Sequence, residues 1–133
     1  MNRWFKSALP IVVAFIALVG CATPNACVDI QGEIWFKERI ALPAEAVLTV
    51  ELKDVSLMDA PAVVLAQIER SGVTTPAPFQ FLIHRDQFES GHTYAIGARI
   101  TLNGELMFIN TQAYNIDIGS SEPISVLVQK VDR

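Results

Sequence analysis

Residues 94–110 read YAIGARITLNGELMFIN. Tyr94, Ile96, Ala98, Ile100 and Leu102 alternate with Ala95, Gly97, Arg99 and Thr101, the period-two pattern of a half-buried strand. Asn103-Gly104 follows directly, and Leu106, Phe108 and Asn110 carry the alternation onward. Asn-Gly between two alternating runs is the strongest short-range hairpin signal, because both turn positions need positive φ. Upstream, Tyr94 opens the strand after the turn Glu89-Ser90-Gly91-His92. That placement fits a tyrosine corner, in which the hydroxyl bonds to backbone a few residues back. An ordinary strand aromatic is the alternative.

The same period recurs on both sides. Val28, Ile30, Ile34 and Phe36 alternate with Asp29, Gln31, Glu33 and Trp35, and Gly32 within the run is a candidate bulge. Leu48, Val50 and Leu52 alternate with Thr49, Glu51 and Lys53. Phe79, Phe81 and Ile83 form a later strand, and Ile124, Val126 and Val128 a final one. The stretch 61–70 admits two readings. Pro61 in a first turn and Gly72 past the end fit a helix. The β-branched Val63, Val64 and Ile68, with strand-like neighbours, favour a strand. Thr74 to Pro78 is a proline-rich connector. The expected fold class is all-β: a single immunoglobulin-like antiparallel β-sandwich of about seven strands over residues 28–133, preceded by a cleaved signal peptide. The inter-sheet disulfide and buried strand tryptophan of antibody domains are missing, so only the sandwich architecture is argued.

The first 20 residues of the 133 stand apart. Arg3 and Lys6 precede an apolar run from Ala8 to Gly20, the layout of a secretory signal. It is too short for a bilayer core and contains Pro10. The run ends in Leu18-Val19-Gly20-Cys21, which resembles a bacterial lipobox. The expectation is cleavage between Gly20 and Cys21, lipidation of Cys21, and a short tether over residues 21–27. Loss of Arg3 and Lys6 makes the mature chain more acidic than the −4 of the full sequence. Such a charge argues against nucleic acid and against electrostatic attraction to anionic lipid. Membrane attachment then rests on the N-terminal lipid anchor, which takes more than one acyl chain to be lasting. Ala22 stands where many lipoproteins retained in the inner membrane carry Asp, so the expected location is the bacterial outer membrane, facing the periplasm. With Cys21 acylated, Cys27 is expected to lack an intramolecular partner, leaving an idle thiol or a dimer bridge.

Catalytic constellations are missing from the sequence. His84 and His92 belong to no ligand pair, and no nucleophile elbow, phosphate loop or metal-type cysteine spacing occurs. No catalytic residue, metal or cofactor is expected, and the chain reads as a non-enzyme. Glu38-Arg39 and Arg85-Asp86 are local charge pairs of the kind usual on a solvated rim.

Several blocks carry a family resemblance. They are Glu38-Arg39-Ile40-Ala41-Leu42-Pro43, Val50-Glu51-Leu52-Lys53-Asp54-Val55-Ser56 with Asp59-Ala60-Pro61-Ala62, Pro78-Phe79-Gln80-Phe81, and Tyr94 through Ile100. Together they resemble the YbaY-like lipoproteins, grouped with YscW-type lipoprotein chaperones of type III secretion. The resemblance implies a compact β-sandwich on an acylated cysteine, with no catalytic residues. It also implies a pilotin-like role, binding an envelope or secretin-like protein. Glu38, Arg39, Asp54 and Asp59 are the candidate partner surface within the most specific block; a structural corner is the alternative reading. A different class of function is a glycan or small-molecule binding module. Trp35, Phe36, Tyr94, Phe108 and Tyr114 are its candidate stacking residues, although alternation sends several into the core.

Overall fold

The computed structural model describes residues 26–57 and 59–132. The signal segment 1–20, the Gly20/Cys21 cleavage site, the acylation of Cys21 and the tether before Ala26 lie outside the described residues. Nine strands occur among the described residues: β1 (Cys27–Trp35), β2 (Val47–Asp54), β3 (Val63–Ser71), β4 (Ala77–His84), β5 (Tyr94–Leu102), β6 (Glu105–Ile109), β7 (Tyr114–Asn115), β8 (Ile124–Leu127) and β9 (Gln129–Lys130). The strand reading of 61–70 therefore holds. The count exceeds seven because β7 and β9 are two-residue pairings with no periodicity to detect.

The strands form two sheets. A small one has the order β4-β1-β8, and a large one β3-β2-β5-β6-β9, with β7 also paired to β5. All pairings are antiparallel except β1 with β8, which is parallel. Inward residues alternate as the sequence pattern requires. Ile34, Leu52, Ile96, Ile100, Val126 and Val128 are fully buried between the sheets. Phe36 and Phe108 stack across the core, ring centroids 4.5 Å apart and nearly parallel. Burying each such side chain contributes about 1.5–3 kcal/mol, which is what holds two sheets of so few strands together.

Asn103 (φ 53°) and Gly104 (φ 82°) both take positive φ, so the Asn-Gly hairpin between β5 and β6 forms as the sequence requires. Gly32 is not a bulge. The β1–β4 register runs unbroken through it, and an added Cβ would lie 1.9 Å from the Ile124 carbonyl oxygen. It is small so that β8 can lie close against β1. The irregularities fall instead between Leu52 and Lys53 and between Ile100 and Thr101. The chain end crosses from one sheet to the other: Val128 N–H donates to Trp35 O at 2.9 Å, and Val131 N–H donates to Met107 O at 2.9 Å. Tyr114 reinforces that crossing by accepting from Leu127 N–H at 3.0 Å.

Connectivity defines two ends. Cys27 pairs with His84 in the small sheet, and Asp54 with Tyr94 and Val63 in the large one. The segment from His84 to Tyr94 joins these sets, so they share one end, where the described chain begins at Ala26 and to which an N-terminal tether would lead. Trp35, Ala77, Val47, Ser71 and Leu102 lie at the opposite end, joined by the connectors 36–46 and 72–76.

Candidate functional site

The four candidate surface residues do not come together. Glu38 and Arg39 are exposed in the connector after β1, at the end away from the tether. Asp54 closes β2 at the tether end, and Asp59 is exposed in the loop that follows. Seven residue steps along β2 separate the two ends by about 23 Å. They cannot act as one continuous patch.

Asp54 belongs to a corner. Its Oδ1 accepts from Ser56 N–H at 3.0 Å and from Ser56 Oγ–H at 2.5 Å, and its Oδ2 lies 2.6 Å from His92 Nδ1. Ser56 Oγ in turn accepts from Thr93 N–H at 2.8 Å, and Val55 N–H donates to Thr93 O at 2.8 Å. The hydrogen bonds from Ser56, then that from His92, hold the Asp54 carboxyl down at about 2. The bond to Asp54 raises the His92 imidazole above its ordinary value. Glu89 Oε1 faces the other ring nitrogen at 3.6 Å. Serine, aspartate and histidine meet here in an order unsuited to nucleophilic catalysis. The serine proton points at the carboxylate rather than the imidazole, so the histidine has no hydroxyl to deprotonate. The cluster clasps the end of β2 to the turn that starts β5. The Asp-x-Ser turn is legible in sequence; its long-range partner His92 carries no such signal.

Next to this clasp, Tyr94 accepts from Glu89 N–H at 2.8 Å, the bond expected of a tyrosine corner. Phe88 packs edge-on against the Tyr94 ring at 4.9 Å. Arg85 donates to Cys27 O at 3.4 Å, tying the segment after β4 to the start of β1. Cys27, for which an idle thiol or a dimer bridge is expected, is disulfide-bonded and so is not an idle thiol. The chain's other cysteine, Cys21, lies outside the described residues.

The five aromatics of the stacking reading are split. Phe36, Tyr94 and Phe108 are buried in the core, and Trp35 and Tyr114 are half-buried on different strands. Among the described residues, no group of three or more His, Cys, Asp or Glu is placed to hold a metal ion.

The feature that sequence reading missed lies at the end away from the tether. A groove of about 460 Å³ runs between the β5–β6 hairpin and the segment after β9, lined by Ile40, Leu102, Leu106, Met107, Phe108 and Val131. Glu105, Lys130 and Asp132 give it a polar rim. It exists because β9 covers β6 only at Phe108 and Ile109, leaving the start of β6 with an apolar flank. Ile40, from the connector after β1, closes one side. The convergence of Ile40 and Val131 on one groove is a product of topology, so no local pattern announces it. Among the described residues, the outer edge of β3, nine residues long, pairs with no other strand.

Comparison with known proteins places this architecture. The family model for the type III secretion system lipoprotein chaperone (YscW) matches residues 25–128. The lipoprotein YbaY of Escherichia coli (strain K12) is 37% identical over 83 residues, 61% of this chain and 44% of that protein. The match thus spans less than half the length of that relative. The structure of an alternative pilotin from the type II secretion system of Vibrio cholerae superposes with a TM-score of 0.73 at 34% identity, over 80% of this chain and 99% of that one. None of these is an enzyme by its description. The chain belongs to the YscW family of type III secretion system lipoprotein chaperones.

Proposed function

We propose that this chain is a lipid-anchored, non-catalytic chaperone of the bacterial outer membrane, facing the periplasm, that holds an apolar segment of a secretin-like envelope protein in its groove. One observation carries the proposal: the Ile40–Leu102–Leu106–Met107–Val131 groove is a concave surface with an apolar lining, and it opens at the end away from the tether. A protein held to a membrane at one end presents its other end to the periplasm. A groove with an apolar floor and a charged rim suits a partner segment with one apolar face. The fold shared with a pilotin supports the partner class.

The anchor is part of the proposal. A thioether at Cys21 and a disulfide between the chain's two cysteines would compete for one sulfur. Intact mass of the protein purified from membranes separates them: acyl increments on Cys21 support the anchor, and an unacylated oxidised chain overturns it. For the groove, the full chain carrying Ile40→Glu and Met107→Glu is compared with wild type by co-purification from detergent extracts. Wild type retains a secretin-like component, and the double variant loses it at least about tenfold, the equivalent of 1.4 kcal/mol of binding. Equal retention by a folded double variant overturns the groove assignment.

A further inference from the structure

The tether end carries exposed apolar side chains that the partner groove does not use. Among the described residues, the exposed large hydrophobics are Leu57 (70% exposed), Val63 (62%), Leu82 (58%), Ile40 (51%) and Val64 (45%). Ile40 belongs to the groove. Leu57 lies on the β2–β3 connection, Val63 and Val64 open β3 at the tether end, and Leu82 is two residues from the close of β4 at that end. Between Leu57 and Val63, the residues Ala60, Pro61 and Ala62 are also exposed and apolar. Single exposed hydrophobics are ordinary on a protein surface, but several of them close together, here broken by the exposed Asp59, mark a contact.

We infer that this apex is a membrane-contact surface, on which Leu57, Val63 and Val64 rest against the lipid bilayer when the chain is anchored. The inference rests on the acylated Cys21 of the proposed function. The described chain begins at Ala26, whose carbonyl accepts from Arg85 N–H at 2.8 Å within this same end. Five residue steps separate an anchored Cys21 from Ala26, and a fully extended chain spans at most about 3.6 Å per residue. Ala26, which shares this end with the apex, is therefore held within about 20 Å of the headgroups. Its apolar run is the feature that a bilayer interface can accept. Asp54, Asp59, Asp86 and Glu89 at this end outnumber Lys53 and Arg85, so the contact is with the apolar boundary of a zwitterionic surface rather than with anionic headgroups. Side chains of this kind settle about 5–10 Å into the region between headgroup and acyl chain. The apex thereby orients the domain, with the groove pointing away from the membrane.

Trp35 supplies a built-in control, because it lies at the far end of β1 and is the one tryptophan left after removal of a signal containing Trp4. The acylated protein is reconstituted into phosphatidylcholine vesicles whose acyl chains are brominated near the headgroup. Wild-type fluorescence, from Trp35, stays unquenched. In the Leu57→Trp and Val63→Trp variants, the new indole loses about half or more of its emission, as an interfacial position requires. Acylated variants that show no quenching beyond wild type overturn this inference while leaving the anchor intact. Protein without acyl chains, established by intact mass beforehand, instead overturns the anchored reading on which it rests. Equal quenching of Trp35 would also overturn it, since the domain would then lie on its side.

Discussion

Tyr94 and Glu89 are joined by a hydrogen bond in which the tyrosine hydroxyl accepts from the Glu89 backbone N–H at 2.8 Å. The ring is 3% exposed, so the bond fixes a surface turn to a residue anchored in the core. Tyr94→Phe keeps the ring and its edge contact with Phe88, and removes only the acceptor. The expected loss is about 1 kcal/mol, the usual net worth of one hydrogen bond. For a domain of this size that is a fall of about 4–6 °C in Tm. Urea unfolding of the two proteins checks it. An unchanged midpoint would mean that water satisfies Glu89 N–H equally well and that the corner contributes nothing.

Gly32 gives a second expectation. A Cβ at this position would lie 1.9 Å from Ile124 O and under 3 Å from Ile124 C and N, all of them backbone. Backbone cannot rotate out of the way, so Gly32→Ala displaces β8 from β1 or strains both. The expected cost is about 1–3 kcal/mol, the range for overpacking a core. Amide exchange should localise it, with Val126 and its neighbours losing protection before β2 and β5. Equal loss across both sheets would contradict the close-approach account.

The same glycine shows where sequence reading stops. Alternation in β2, β4 and β5, and the Asn103-Gly104 turn, are local properties of the chain, and local reasoning recovers them. A glycine in an alternating run announces that a side chain is not tolerated, but not why. The answer depends on Ile124, far along the chain and in a parallel pairing that no hairpin signal encodes. The candidate site divides in the same way. The resemblance blocks containing Asp54 and Ser56 mark a corner whose turn is local, whereas His92 is brought to it by the β2–β5 register. The groove depends on Ile40, Met107 and Val131 converging from three separate segments, so nothing local to Glu38-Arg39-Ile40 marks Ile40 as the residue that lines it.

The clasp at Asp54 gives the pH expectation. Asp54 is held at about 2 in the folded protein against an ordinary 3.8, first by Ser56 and then by His92. Its contribution is therefore present above 3.8 and is lost as pH falls through 3.8 toward 2. His92 is raised above its ordinary 6.5, chiefly by the bond to Asp54. Its contribution is complete below 6.5 and is lost as pH rises through the elevated folded value. The pair therefore stabilises most between about pH 4 and about pH 6.5. Both side chains are partly open to solvent, so salt should weaken the effect. Asp54→Asn keeps an acceptor for Ser56 and removes the charge facing His92. The Tm difference between wild type and Asp54→Asn, followed across pH, should be largest in that window and should narrow on both sides of it. Proton titration by NMR gives an independent reading, in which the His92 imidazole titrates above its ordinary range in wild type and drops back in Asp54→Asn. Two observations together would dismiss the clasp: a Tm difference that stays flat from acid to alkaline pH, and a His92 titration indifferent to the substitution. Asp54 would then be a turn residue held by Ser56 alone.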